Sequence, residues 1–171
     1  MFLIYLLVTT LILLLCGSFF GAPWVPTRKV DFARIDKLSN LRSGQTLYDL
    51  GCGCGGLMFY LAKIHSDSKL VGIEIAPLPY LYSKIRSFFY KNVDVKFGDL
   101  KYYDLSKAQV VYIFLMPKTL NKIRTKLIRE LPPDAKIITS CWGFDFTKED
   151  IIDEHDKQVD YFVYTAGEIL G

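Results

Sequence analysis

The run Asp49-Leu50-Gly51-Cys52-Gly53-Cys54-Gly55-Gly56 constrains the fold more than any other feature of the chain. It follows the short buried-looking stretch Thr46 to Leu50 and opens the amphipathic stretch Gly56 to Ile64. A strand that turns on glycines directly into a helix is the first half of a βαβ unit. Glycines suit that turn because the backbone reverses tightly there and a ligand meets bare amides with no Cβ in the way. The open amides and the positive end of the helix favour a negatively charged group.

The rest of the chain alternates in the same way. Val30 to Leu41 is apolar at close to helical spacing. Leu70 to Ile75 reads as a strand, Pro79 to Tyr90 as a helix and Val93 to Phe97 as an alternating strand. Gln109 to Leu115 is a continuous apolar run, the mark of a strand buried on both faces. Lys118 to Glu130 puts Leu120, Ile123 and Leu127 on one helical face, and Ala135 to Cys141 and Val159 to Thr165 read as the last strands. The connection from Asp99 to Ala108 has room for only a reduced turn of helix. Strands alternating with helices predict an α/β fold with a mostly parallel, doubly wound sheet and right-handed crossovers.

Composition narrows the partners. Twenty-one Lys and Arg against 18 Asp and Glu leave a formal charge of +3 in 171 residues, too mild to imply nucleic acid. Cys16, Cys52, Cys54 and Cys141 are too few and too uneven for a disulfide scaffold. His65 and His155 lie far from any Cys pair that would complete a zinc site, so no metal is expected. The close pair Cys52 and Cys54 reads as small side chains filling loop positions. The acidic group Glu149, Asp150, Asp153, Glu154 and Asp156 reads as a solvated face.

The amino terminus is different in kind. Phe2 to Phe20 is apolar nearly throughout, and no charge precedes Arg28. As a helix this stretch is roughly 28 Å long, close to the thickness of a hydrocarbon core. It lacks the basic n-region and the A-x-A pattern of a cleaved signal. The expectation is an uncleaved transmembrane anchor over residues 1–22, followed by one domain over residues 23–171. Arg28, Lys29, Arg34, Lys37 and Arg42 follow the apolar run, so the positive-inside rule predicts a single-pass membrane protein with the remaining chain on the cytoplasmic side.

Two cofactors fit the glycine loop. Gly51, Gly53 and Gly56 satisfy the dinucleotide pattern G-x-G-x-x-G. Asp49, Gly51, Gly53 and Gly55 resemble the D-x-G-x-G-x-G loop of class I S-adenosylmethionine (SAM) methyltransferases. Glu74 ends the second strand and suits ribose hydroxyls in either case. Gly98-Asp99 after the third strand resembles the place where these methyltransferases put an acid near adenine. A helix ahead of the first strand, and a chain with no second substrate domain, also favour SAM.

The order of elements resembles a narrower group. Ala22-Pro23-Trp24-Val25-Pro26-Thr27, Tyr48 to Gly56, Val71-Gly72-Ile73-Glu74-Ile75-Ala76-Pro77 and Tyr112-Ile113-Phe114-Leu115-Met116-Pro117 form one series. It is similar to the small membrane-anchored lysine methyltransferases related to the mitochondrial enzymes that modify adenine nucleotide translocase and the ATP synthase c subunit. The resemblance implies a Rossmann-like class I methyltransferase fold and SAM as cofactor. It implies that Asp49, Gly51, Cys52, Gly53 and Gly55 position the methionine end, that Glu74 takes the ribose and that Asp99 contacts adenine. Trp24, Pro26, Thr27, Met116, Pro117 and Trp142 are candidates for the substrate rim, and no catalytic base is named. Cys54-Gly55-Gly56 stands where such enzymes often carry Asp-Gly-Arg, which leaves the acceptor open. Leu115-Met116-Pro117 replaces the Asn-Pro-Pro-Tyr of enzymes acting on base amines or glutamine amides. The expected function is lysine N-methylation of a protein at the membrane surface. Methylation of a lipid, quinone or other small molecule, a non-catalytic SAM-binding role and a NAD-binding module are the competing readings.

Overall fold

The computed structural model describes residues 1–19, 25–144, 151–153 and 159–167. Its centre is set by four nearly continuous apolar runs. These form β1 (Thr46–Leu50), β2 (Lys69–Glu74), β4 (Val110–Ile113) and β5 (Lys136–Ser140). Leu47, Leu50, Leu70, Val111, Ile137 and Ile138 are all at most 1% exposed, as strands covered on both faces require. Burying each such side chain fully is worth about 1.5–3 kcal/mol.

The helices cover those faces. On one side pack α2 (Phe32–Ser39) and α3 (Gly56–Ile64), where Ile35, Met58, Phe59 and Leu61 join Leu47, Leu70 and Tyr112. On the other side α5 (Pro117–Glu130) brings Leu120, Ile123 and Leu127 against Leu50, Ile73 and Ile113. Helix α4 (Pro77–Ser87) lies beside β3 (Val93–Phe97). Both α4 and α5 start on a proline, whose fixed φ suits the first turn and whose missing N–H costs nothing there. Helix α2 stops at Asn40, in the left-handed conformation (φ 46°), whose N–H returns to the Asp36 carbonyl.

The strands form one seven-stranded sheet in the order β3-β2-β1-β4-β5-β7-β6. β1 pairs in parallel with both β2 and β4, while β7 (Tyr161–Thr165) runs antiparallel to β5 and to β6 (Ile151–Asp153). The direction of winding reverses between β1 and β4. In open α/β sheets a ligand crevice forms outside the carboxyl ends of the strands at that point.

The expected transmembrane anchor is not supported. Helix α1 covers Phe2–Phe19, 18 residues, or roughly 27 Å at 1.5 Å per residue, against about 30 Å of hydrocarbon. Among the described residues no helix is long and apolar enough to cross a membrane. The described helix has 18 residues, and helix length sets the reach. Helix α1 instead lies against α4. The short connection after β3 carries a single 3-10 turn, Leu100–Tyr102, as its length demands. β6 was not expected: three residues inside an acidic stretch carry no periodic signal. Of the acidic group only Asp153, in β6, falls within the described residues; Glu149, Asp150, Glu154 and Asp156 lie outside them, as does His155.

Candidate active site

The loop after β1 bends because three of its glycines take positive φ: Gly51 at 86°, Gly53 at 54° and Gly55 at 72°. Gly55 shows why glycine is needed. A Cβ there would stand 2.6 Å from the ring of Phe59 and 3.2 Å from Met58, both wholly buried. The loop is then tied to β2. The Ile73 carbonyl accepts from the Gly51 and Cys52 amides at 2.9 and 3.1 Å. Glu74 accepts from the Gly53 amide on Oε2 and from the Ala76 amide on Oε1, each at 2.7 Å. One buried carboxylate thus clamps the glycine loop to the start of α4.

Asp49 is buried at the end of β1, 4% exposed. Burial, and then the charge of Glu74, push its carboxyl up to about 7. Cys52 is buried in the loop, where burial and then the Asp49 charge raise its thiol well above the ordinary range; it is a packed side chain, as expected of this pair. Cys54, only partly covered, is raised more modestly, by burial and then Glu74. Gly98, with φ at 140°, lets the chain leave β3 and donate its amide to the Glu74 carbonyl at 2.9 Å. Asp99 caps the 3-10 turn by accepting from the Lys101 amide at 3.0 Å, and its other oxygen pairs with the Lys101 ammonium at 2.8 Å. Its burial works upward, but these Lys101 bonds prevail and hold the carboxyl below its usual value.

A profile of the ANTKMT methyltransferase domain matches residues 49–150, which span the glycine loop, Glu74, Asp99 and the end of β4. The chain belongs to this family. A protein-lysine N-methyltransferase of Saccharolobus islandicus (strain REY15A) is 25% identical over 146 residues, 83% of this chain and 91% of the relative. The human lysine N-methyltransferase of the ATP synthase c subunit is 29% identical over 125 residues, 71% of this chain and 52% of that protein, so the chain spans about half the human relative. Among solved structures, an RNA methyltransferase from Salinibacter ruber in complex with S-adenosyl-L-homocysteine matches with a TM-score of 0.78 at 27% identity, over 84% of this chain and 95% of that one.

The protein is therefore a SAM-dependent methyltransferase of the Rossmann-like class, and its loop fits that cofactor. The positive-φ glycines present backbone without Cβ atoms along the crevice, suited to close approach. Two carboxylates, Asp49 and Glu74, stand at the loop, suited to a ligand that carries positive charge.

Beside Asp49 this methyltransferase holds a second, buried polar group that the sequence did not reveal. Tyr112 lies on β4 directly beside Asp49 in the β1–β4 register and is 1% exposed. Its hydroxyl is 3.1 Å from the Thr27 hydroxyl. Burial drives the phenol well above its ordinary range, while hydrogen bonds with Thr27 and Ser140 work against that rise. Tyr161 on β7 pairs with Ser140 in register and is pushed up to about 12, first by burial and then by the charge of Asp31. Behind it Arg28 donates to Asp31 from Nε at 2.7 Å, and the Arg34 guanidinium lies 4.7 Å from the Tyr161 ring centroid. A lone tyrosine inside the aliphatic run Val110–Ile113 was the available signal, because a buried phenol requires a partner.

The rim candidates separate. Thr27 is drawn into this network, and Pro26 beside it is exposed. Met116 and Trp142 are each 37% exposed, and Trp142 sits 6.5 Å from Phe114, ring centroid to centroid. The turn that carries Trp142 is held by Thr139, which donates to the Trp142 carbonyl at 2.7 Å, and by Cys141, a non-glycine at φ 68°. Pro117 starts α5. Trp24 lies outside the described residues.

Proposed function

We propose that this enzyme methylates the side-chain amine of a lysine in a protein at a membrane surface. The observation that carries the reading is the Saccharolobus islandicus protein-lysine N-methyltransferase, which matches 83% of this chain and 91% of its own length. The human relative supports it. In this reading α1 seats the enzyme on the membrane, and the unit from residue 23 onward does the chemistry.

When bound, SAM supplies an activated methyl group on a good leaving group, so alignment of the three reacting atoms carries much of the acceleration. The chain's own residues have the positioning to do. Asp49 and the backbone of Gly51, Cys52, Gly53 and Gly55 hold the methionine end. Glu74 takes the ribose with the lone pairs left over from its clamp. Asp99, fixed by Lys101, borders the adenine. Thr27, with Pro26, Met116, Pro117 and Trp142, lines the entry for the acceptor. A lysine must enter as the neutral amine, and an apolar, aromatic mouth lowers its pKa by withdrawing water. Tyr112 stays a neutral phenol in this environment, able to accept or donate one hydrogen bond beside the acceptor.

The test is incubation of the full chain with methyl-labelled SAM and membranes from its own source, followed by separate protein, lipid and RNA extraction. The expected result is base-stable label in a protein band, recovered as methyl-lysine and reduced about tenfold or more in Glu74→Gln, which loses one charge-assisted acceptor. Label confined to the lipid or the RNA fraction would replace the lysine reading with that acceptor.

A further inference from the structure

Helix α4 is inside out. Its buried residues are Ser83 (0% exposed) and Ser87 (6%), while Leu81 (52%), Tyr82 (57%) and Ile85 (54%) face outward, followed by Phe88 (77%) and Phe89 (83%). The spacing i, i+1, i+4, i+7, i+8 is a proper amphipathic stripe, but it points away from the core. The serines make this packing workable. The Ser83 hydroxyl donates to the Tyr80 carbonyl at 2.9 Å and the Ser87 hydroxyl to the Lys84 carbonyl at 2.7 Å, so neither is left unpaired against the sheet. These outward side chains stay exposed even with α1 lying against α4. Contiguous apolar surface of this kind marks an interaction site.

The surroundings select the occupant. Residues 77–91 carry Lys84, Arg86 and Lys91 and no acid. Lys84 and Arg86 are held close to the body: the Lys84 ammonium reaches the Val95 carbonyl at 3.1 Å and lies 3.8 Å from Asp94, and the Arg86 guanidinium stands 4.4 Å from the centroid of the Phe59 ring. Lys91 is exposed. Aromatic and aliphatic side chains flanked by basic ones match the composition of helices that lie in a bilayer interface. Lys84 is matched by Asp94, so a second copy of this chain would bring Arg86 and the exposed Lys91 against like charges. An anionic lipid surface would neutralise those two instead.

We propose that the outward face of α4, continued by Phe88 and Phe89, docks on an anionic bilayer. Helix α4 starts directly after Glu74 and Ala76 and lies beside β3, so docking would hold the β3 edge of the sheet at the lipid surface. This does not depend on lysine being the acceptor.

The experiment places the photo-crosslinking residue p-benzoylphenylalanine at Tyr82, Ile85 or Phe88 of the full chain, with exposed Lys122 on α5 as the control. Each protein is reconstituted into phosphatidylcholine vesicles with or without phosphatidylserine, irradiated, and its lipid adducts are quantified. Unchanged thermal melting verifies that each variant folds. We expect lipid adducts at the three α4 positions about tenfold above Lys122, and a drop of several-fold when phosphatidylserine is left out, from the lost attraction to the nearby cations. Yields at α4 no higher than at Lys122, yields indifferent to phosphatidylserine, or cross-links joining two copies of the chain would each overturn the proposal.

Discussion

The two banks of the crevice are built on different principles. The bank formed by β1, the glycine loop and Glu74 is local: residues 49–56 bend on their own glycines and are clamped by a carboxylate at the end of the next strand. The bank formed by Thr27, Tyr112, Ser140 and Tyr161 is assembled from four distant parts of the chain through hydroxyl groups. The first depends on backbone shape and tolerates no added atom. The second depends on side-chain hydrogen bonds worth about 0.5–1.5 kcal/mol each. Substitutions on the first bank should therefore damage folding and cofactor binding together, and those on the second should lower turnover and cost a modest amount of stability while leaving SAM affinity unchanged.

The largest expected effect comes from Gly55→Ala. The residue would be forced into the left-handed region, costing about 1–2 kcal/mol, and its Cβ would press on Phe59, an overpacking worth about 1–3 kcal/mol. Chemical unfolding should show a loss of about 2–5 kcal/mol, and calorimetry a matching fall in SAM affinity. Unchanged stability would mean that the loop's shape is not set by its glycines.

That contrast also explains what could be read in advance. β1, α3 and β3 fall at Thr46–Leu50, Gly56–Ile64 and Val93–Phe97, where their sequence signals put them, because those signals are local: a short apolar or alternating run and a glycine stop. Asp49, Glu74 and Asp99 were legible for the same reason, since each sits where a strand ends. The clamp from Glu74 to the Gly53 amide was not, because it joins residues far apart in sequence. Tyr112 was legible only as part of a buried strand, and nothing in its neighbourhood in sequence names Thr27. Hydropathy and the length of the apolar run called for a membrane span, whereas α1 is an 18-residue helix that lies against α4. Nor could periodicity say which way the α4 stripe faces; the packing of Ser83 and Ser87 decides that.

An effect of comparable size separates the banks by pH. Asp49 titrates at about 7 in the folded chain, above its ordinary value of 3.8, because it is buried and then because Glu74 is near. A carboxyl raised in this way favours the folded state below pH 3.8, and that contribution is lost as pH rises through about 7. Asn cannot ionise. The stability of Asp49→Asn relative to the parent should therefore rise between those two values, by up to about 1.4 kcal/mol per pH unit, and level off above. Parallel melting curves of the two proteins across that window would remove the assignment of the buried charge to Asp49.

The smallest expected effect tests the second bank itself. Tyr112→Phe and Thr27→Val each remove one partner of the same hydroxyl pair, 3.1 Å apart. Each should lower kcat by about fivefold, the worth of a hydrogen bond near 1 kcal/mol, while calorimetric SAM affinity stays at the parent value. The double variant should lose little more than either single one, because both remove the same contact. Losses that multiply would mean the two hydroxyls act separately. A fall in SAM affinity as large as the fall in kcat would place Tyr112 on the cofactor bank, and the division of the crevice into two banks would no longer hold.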